Sequence, residues 1–86
     1  MPRVILTGPI SQRVGGVGAI DVDGGTAGEV IRSLEQAHPA LRGWVVDEQG
    51  RLRRHVRIFL RQGAIPLEER LGPDDELHIV AAISGG

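Results

Sequence analysis

The stretch DGGTAGEVIRSLEQAHP, residues 23–39, decides the fold of this chain. Thr26 and Glu29 have the spacing of a capping box, in which each side chain bonds a free backbone amide at the start of a helix. Apolar residues then recur at helical spacing and define one face: Ala27, Val30, Ile31, Leu34 and Ala37. Because Pro39 disfavours helical geometry in the residue before it, the pattern predicts one amphipathic helix that ends near His38.

Two short apolar segments before the helix indicate strands. They are RVILT (3–7) and VGAIDV (17–22), and GPISQRVGG between them supplies Gly and Pro for a loop or a wide hairpin. We therefore expect the first two strands to be antiparallel neighbours.

Two further strands follow the helix. The segment HVRIFLR (55–61) alternates in polarity, as a strand with one buried face does. Its inward residues are predicted to be Val56, Ile58 and Leu60, and its outward residues Arg57, Phe59 and Arg61. ELHIVAAI (76–83) is the last predicted strand, and its inward residues are Leu77, Ile79 and Ala81.

The connections after the helix carry mixed signals. We expect a short helical turn around Leu41 to Val45, a turn at DEQG and a brief strand near Leu52. QG at 62–63 turns the chain. IPLEERLGPDDE is a connection with one helical turn, because its two prolines exclude a central strand.

The order of elements is β, β, α, β, β with one possible extra strand. A single helix across a mixed sheet gives a two-layer α+β domain, and this order describes a β-grasp fold with four to five strands packed on one main helix. A chain of 86 residues has room for one modest core, so residues 1–86 are expected to form one domain.

Composition excludes several classes of function. There is no Cys, hence no disulfide, thiolate metal site or cysteine nucleophile, and His38, His55 and His78 lack ligand spacing, so we expect no metal site. No stretch approaches the roughly 18 apolar residues of a membrane span. We expect a cytoplasmic protein without a membrane partner.

All ten basic residues are Arg, and the chain contains no Lys, so no side-chain amine is present for acyl chemistry. The densest basic stretch comprises Arg51, Arg53, Arg54, Arg57 and Arg61. A net charge of -1 and the scarcity of aromatic residues argue against nucleic acid as a partner. The stretch is either a solvated sheet face or a docking surface for an acidic partner.

Three further positions are candidate partner contacts. Phe59, between two outward arginines, is either an interface anchor or buried under the segment 40–54. Asp74 and Asp75 belong either to an ordinary acidic surface turn or to a surface that meets basic residues of a partner.

The sequence ends in AAISGG, residues 81–86. If the last strand stops near Ala82 or Ile83, residues 84–86 form a thin flexible tail, which is either a frayed terminus or a reactant. A terminal carboxylate has a pKa of roughly 3.3 to 3.7, so it is ionised and needs activation, which ATP supplies in a partner's site through an acyl adenylate. Glycines lack a Cβ and suit a narrow channel.

The tail HIVAAISGG, with LGPDDEL and IPLEE before it, resembles the carboxyl-terminal half of the MoaD/ThiS sulfur carriers, and the front half is organised similarly. The resemblance implies a ubiquitin-like β-grasp protein that binds no cofactor and is not itself an enzyme. By the same resemblance, we expect a ubiquitin-activating-like enzyme to adenylate Gly86 with ATP, the product to become a thiocarboxylate, and a sulfur-accepting synthase to take the sulfur. Gly85 is expected to give a slim approach, and Ile83 and Ser84 are expected to contact the partners.

At two places this chain departs from many members of the family, and these departures concern the branch to which it belongs. Many members carry Pro where this chain has Ala81 or Ala82, and AIS precedes the glycines where VAG or VSG is common. The segment LRGWVVDEQGRLRRH and the first loop are more similar to molybdopterin-synthase small subunits and to carriers for cysteine synthesis; thiolated tRNA is a third destination. Two other hypotheses remain: a protein modifier joined through Gly86 to lysines, and a plain β-grasp binding module.

Overall fold

The structure, a computed structural model, describes residues 1–61 and 63–81. Its strands and helices, in chain order, are β1 (Arg3–Leu6), α1 (Gly8–Gln12), β2 (Ala19–Asp21), α2 (Ala27–Ala37), β3 (Val56–Leu60), β4 (Gly63–Ala64) and β5 (Glu76–Ala81). The five strands form one sheet in the order β2-β1-β5-β3-β4. β1 and β5 run parallel at its centre, and the other neighbours are antiparallel. The mixed sheet and its main helix confirm the predicted α+β architecture.

The start of α2 forms as the capping residues predict. The Thr26 hydroxyl accepts a hydrogen bond from the Glu29 amide at 3.2 Å. The Glu29 carboxylate accepts from the Gly25 amide at 2.8 Å, one residue earlier than in a standard capping box. The helix ends at Ala37, and the predicted end near His38 is confirmed.

One face of the sheet and the apolar face of α2 enclose the core. The helix contributes Ala27, Val30, Ile31 and Leu34, all at most 1% exposed. The strands contribute Val4, Leu6, Val56, Ile58, Leu60, Leu77 and Ile79. Ala81 is half-buried and packs against this cluster. The predicted inward residues of both later strands are confirmed.

The first connection differs from the expected loop or hairpin, because residues 8–12 form the short helix α1. Pro9 lies in its first turn, where a missing N–H costs no hydrogen bond. Ile10 and Ser11 are buried, and the Ser11 hydroxyl donates to the carbonyl of Val17 at 3.0 Å. Burial of these two side chains therefore makes a helix from residues whose local pattern indicates a loop.

The connections after α2 also differ from prediction. The helical turn lies at Pro39–Leu41, earlier than expected, because Pro suits the first position of a turn. Only an isolated bridge joins Val46 to Leu52, and the additional short strand is β4, which pairs with β3. The expected helical turn after Pro66 is a single turn closed by the amide of Glu69, and the turn at DEQG is confirmed.

Strand boundaries are otherwise close to those predicted. β1 and β2 are shorter than 3–7 and 17–22, and they are antiparallel neighbours as expected. The last strand is described as far as Ala81, so its predicted residues 82 and 83 lie outside the described part. Within that part, no helix is long and apolar enough to cross a membrane.

Candidate functional site

The outer sheet face is the side of the central strands that points away from α2 and the core. Its members on β1, β3 and β5 are Arg3, Ile5, Arg57, Phe59, Glu76, His78 and Val80. Ile5 and Phe59 are half-buried, and Val80 is 38% exposed. This face therefore presents apolar side chains to the surroundings of the protein.

Strand register brings these side chains together. His78 is the pairing partner of Ile5 on one side and of Phe59 on the other. Neighbouring strands lie about 4.8 Å apart, so Ile5, His78 and Phe59 form a row across three strands. Val80, paired with Arg57, forms the next row. Ile5, His78 and Val80 were not among the predicted site residues, because only the register reveals that they adjoin Phe59.

The prediction that Phe59 points outward is confirmed. The alternative was burial under the segment 40–54. In the structure, Leu41 and Val45 of that segment are fully buried in the core, and Val46 and Leu52 pack against the core. Phe59 is half-buried and is not part of that cluster.

Arg57 lies on the outer sheet face near the first residue of β3. Its Nη1 atom donates to the carbonyl oxygens of Arg54 at 2.7 Å and of Val56 at 2.9 Å. These two hydrogen bonds hold the guanidinium against the backbone that leads into β3. Arg57, whose strand partner is Val80, therefore holds its positive charge in a defined orientation at the start of β3.

Arg61, Asp74 and Asp75 share the opposite end of β3, where they line a depression of about 290 Å³ with His78. The Asp75 carboxylate accepts from the Gly72 amide at 2.7 Å, so this residue closes its own turn. Asp74 is exposed, and within residues 1–61 and 63–81 its carboxylate accepts no hydrogen bond. Of the two predicted aspartates, Asp74 is the one available to a partner.

The predicted reacting residues lie outside the described part of the chain: Ile83, Ser84, Gly85 and Gly86. The structure describes the strand that precedes them in the sequence. Ala81 is the last described residue of β5 and pairs with Val56, the first residue of β3. Because the two strands are antiparallel, Arg54 and His55 lie at the same end of the sheet as Ala81.

A second groove, about 560 Å³, lies on the other side of the molecule between α2 and the turn at residues 46–50. Burial raises the pKa of Glu35, against the opposing effect of Arg42 and Arg32. Backbone amides of Arg51 and Gln49 lower the pKa of Asp47 by donating to its carboxylate. Sequence patterns gave no sign of this groove.

No group of three or more His, Cys, Asp or Glu side chains suited to a metal ion occurs in the part of the chain that the structure describes. The histidines are widely separated in the fold. His78 lies on the outer sheet face, where its Nε2 is 3.8 Å from a carboxylate oxygen of Glu76, and both side chains are about half exposed.

A five-stranded mixed sheet over one main helix, with β5 as its central strand, defines a ubiquitin-like β-grasp protein. The model of the ThiS family matches residues 4–86, and the chain belongs to this family. It is 37% identical over 68 residues to small archaeal modifier protein 1 of Haloferax volcanii, covering 78% of each chain.

Solved structures agree with this assignment and confirm the resemblance to the MoaD/ThiS carriers. The crystal structure of the same Haloferax volcanii protein has a TM-score of 0.82 at 32% identity, covering 99% of this chain and 98% of that one. CysO of Amycolatopsis orientalis, solved in complex with BexX, has a TM-score of 0.87 at 23% identity over 100% of both chains, which shows the shared fold.

Proposed function

We propose that this protein is a sulfur carrier whose Gly86 carboxylate is adenylated and then converted to a thiocarboxylate. The observation that carries the proposal is the extent of the family match, which runs from residue 4 through both final glycines. β5 supports it, because a central strand held by two neighbours provides a rigid base for the segment that follows. The protein acts as a co-substrate of other enzymes, and it needs no bound cofactor of its own.

The chemistry has two balanced steps. An oxygen of the Gly86 carboxylate attacks the α-phosphorus of ATP in the partner's site, the bond to pyrophosphate breaks, and an acyl adenylate forms. Hydrosulfide then attacks the acyl carbon, AMP leaves, and loss of the remaining proton gives the thiocarboxylate. Gly85 and Gly86 have no Cβ, so both tolerate the backbone conformation that a narrow channel imposes.

The outer sheet face is the proposed docking surface for the adenylating enzyme and for the accepting synthase. Phe59 is its aromatic anchor, and aromatic residues in the centre of an interface carry much of the binding energy. Arg57 at one end of β3 and Arg61 with Asp74 at the other supply charged groups around that anchor. Ile83 and Ser84 are proposed to contact the same partners within the channel.

The sulfur acceptor is proposed to be a biosynthetic enzyme of cysteine or molybdopterin formation; a tRNA-thiolating enzyme is the other candidate. The similarity in fold to CysO, which was solved together with BexX, supports a partner of this kind. So does the long connection between α2 and β3, in which Leu41 and Val45 complete the core. Reconstitution with each candidate acceptor would decide among these pathways.

The test is enzymatic sulfuration. The full chain is incubated with ATP, sulfide and a ubiquitin-activating-like enzyme from the same cells, and its intact mass is measured. We expect an increase equal to the exchange of one oxygen for sulfur. The matched control deletes Gly86, which should abolish the increase while the circular dichroism spectrum stays unchanged. Sulfuration of the deletion variant at full yield would contradict the proposal.

A second candidate function is that of a protein modifier joined through Gly86 to lysines of other proteins. The 37% identity to small archaeal modifier protein 1 favours it. Immunoblots of cell extract for conjugates of higher mass separate the two, because a carrier used only for sulfur transfer yields no such bands. A deletion of Gly86 serves as control in the same blot.

A further inference from the structure

The distribution of amines in this chain is unusual for a protein that carries an activated acyl group. The sequence contains no Lys, and all ten of its basic residues are Arg. In the 86-residue chain the α-amino group of Met1 is therefore the single aliphatic amine. Aliphatic amines are the side-chain groups that most readily convert an adenylate or a thioester to an amide.

The topology places that amine far from Ala81, the last described residue of β5. β1 is parallel to β5, with Arg3 opposite Glu76, so Met1 lies at the end of the sheet opposite to Ala81. The amide of Val22 donates to the carbonyl of Pro2 at 2.9 Å, which continues the pairing of β1 and β2 beyond Arg3.

Distances along the strands give the separation. The five steps from Glu76 to Ala81 and the two from Arg3 to Met1 together amount to about 23 Å at the rise of a β-strand. The five residues after Ala81 span at most about 18 Å when fully extended. The Gly86 carbonyl therefore falls about 5 Å short of the Met1 nitrogen, even if those residues turn back along the sheet.

The cations that do lie near the end of β5 are arginines. Arg57 is next to Val56, the partner of Ala81, and Arg54 is two residues before it, so both lie within roughly 10 Å of Ala81. Five residues of a random coil have a root-mean-square span of about 12 Å, so the length of chain after Ala81 is enough for Gly86 to reach this region. A lysine here would face the acyl carbon at a millimolar effective concentration.

Arginine differs from lysine in its supply of unprotonated nitrogen. The pKa of an arginine guanidinium lies well above that of a lysine amine, which is about 10.4, so at a given pH the free base of Arg is roughly a thousandfold scarcer. A guanidinium therefore provides positive charge at this end of the sheet without a competent nucleophile.

We infer that the chain is protected against acylating itself, because its basic residues near the acyl group are arginines and its single amine is out of reach. The inference rests on the proposed function and specifies which molecules can accept the acyl group of Gly86. The acyl group of Gly86 passes to sulfur or to amines of other molecules, and not to an amine of its own chain. If the protein also serves as a modifier, no second copy can be joined to it through a lysine side chain, since the sequence contains no Lys.

The reaction that the chain avoids is simple aminolysis. An amine nitrogen attacks the Gly86 acyl carbon of a thioester, the C–S bond breaks, an amide bond forms, and the thiol leaves with the proton from the amine. The product is a cyclic chain whose mass is lower by one water than that of the hydrolysed chain. Hydrolysis and cyclisation are thus separated by intact mass.

The experiment uses the full chain with a Gly86 thioester made by intein cleavage with mercaptoethanesulfonate, kept dilute at mildly alkaline pH. Arg54→Lys introduces an amine near Ala81 at an exposed position whose side chain makes no hydrogen bond within residues 1–61 and 63–81. Arg3→Lys is the matched control at the far end, opposite Glu76. No activating enzyme takes part, so the result is independent of whether the sulfur-carrier proposal holds.

We expect only hydrolysis from the unsubstituted chain. For Arg54→Lys the ratio of cyclic to hydrolysed product should rise at least about tenfold, because the free amine is roughly a thousandfold more abundant than free guanidine. Arg3→Lys should cyclise far more slowly than Arg54→Lys. Cyclisation of the unsubstituted chain through Met1 would overturn the distance argument, and an Arg54→Lys variant that only hydrolyses would overturn the role assigned to arginine.

Discussion

Ile58 and Phe59 are adjacent in β3 and point to opposite faces of the sheet, so the same substitution at each should have different consequences. Ile58 is 1% exposed and pairs with Ile79 in the core. Ile58→Gln removes buried apolar surface and buries an amide without a partner, for a total cost of about 5 kcal/mol. Phe59→Gln affects a half-buried side chain whose replacement can be hydrated, for about 1 to 2 kcal/mol.

These losses are large relative to the total free energy of unfolding of the domain. A domain of 86 residues has a free energy of unfolding of about 4 to 13 kcal/mol. At about 4 to 8 °C per kcal/mol, Ile58→Gln should lower Tm by roughly 20 to 40 °C, and Phe59→Gln by roughly 4 to 16 °C. Thermal unfolding followed by circular dichroism measures both.

Binding to the adenylating enzyme should be weakened more by Phe59→Gln than by Ile58→Gln when it is measured at a temperature where both variants are folded. Phe59→Gln is expected to raise the KM for enzymatic adenylation at least tenfold, about 1.4 kcal/mol of binding energy, with kcat little changed. Pyrophosphate release at varied carrier concentration gives both constants. If Phe59→Gln unfolds as readily as Ile58→Gln, the outer sheet face is not open. If its KM is unchanged, Phe59 is not a docking anchor.

Three further predictions concern the scaffold. Gly24→Ala should lower the free energy of unfolding by about 1 to 3 kcal/mol more than Gly50→Ala, as measured by denaturant unfolding. Both glycines have positive φ, but only at Gly24 would a Cβ lie 2.7 Å from the Val30 nitrogen. Equal losses of stability would contradict this steric reason. Glu35→Gln should stabilise the fold near neutral pH, and this gain should vanish in acid. The pKa of Glu35 is raised in the folded state, so this group favours folding below its unfolded-state pKa of about 4.3, and its contribution is lost as pH rises through the folded-state pKa. Asp47→Asn should destabilise the fold at neutral pH and not in strong acid. The pKa of Asp47 is lowered in the folded state, so its carboxylate stabilises the fold above the unfolded-state pKa of about 3.9, and this stabilisation is lost as pH falls through the folded-state pKa. Curves of Tm against pH that stay parallel to that of the parent chain would refute both pH predictions.

Local sequence signals were sufficient for the elements that local forces determine. The cap at Thr26 and the apolar spacing behind it predicted α2, and alternation predicted both faces of β3. Local signals failed at α1, where Gly8 and Pro9 suggest a loop and burial of Ile10 stabilises a helix. Whether a side chain finds space in a distant core is not encoded within a few residues of it.

The candidate site shows the same division. The alternating polarity of residues 55–61 was enough to predict that the Phe59 side chain points outward. It did not reveal that His78 lies between Phe59 and Ile5, or that Arg61 shares a depression with Asp74, because these neighbours come from strands far apart in sequence. Parallel pairing of β1 with β5, which puts Met1 and Ala81 at opposite ends of the sheet, is likewise a property of the assembled sheet.

The most direct test of the sulfur-carrier function is the chemical state of Gly86 in the protein isolated from its own cells. Trypsin cleavage after Arg70 releases residues 71–86, which contain no internal Lys or Arg, so one peptide reports that state after alkylation with iodoacetamide. The account predicts a fraction of this peptide with alkylated sulfur in place of one terminal oxygen, and none in cells that lack the activating enzyme. A peptide found only as the free acid, with equal results in both cell lines, would contradict it.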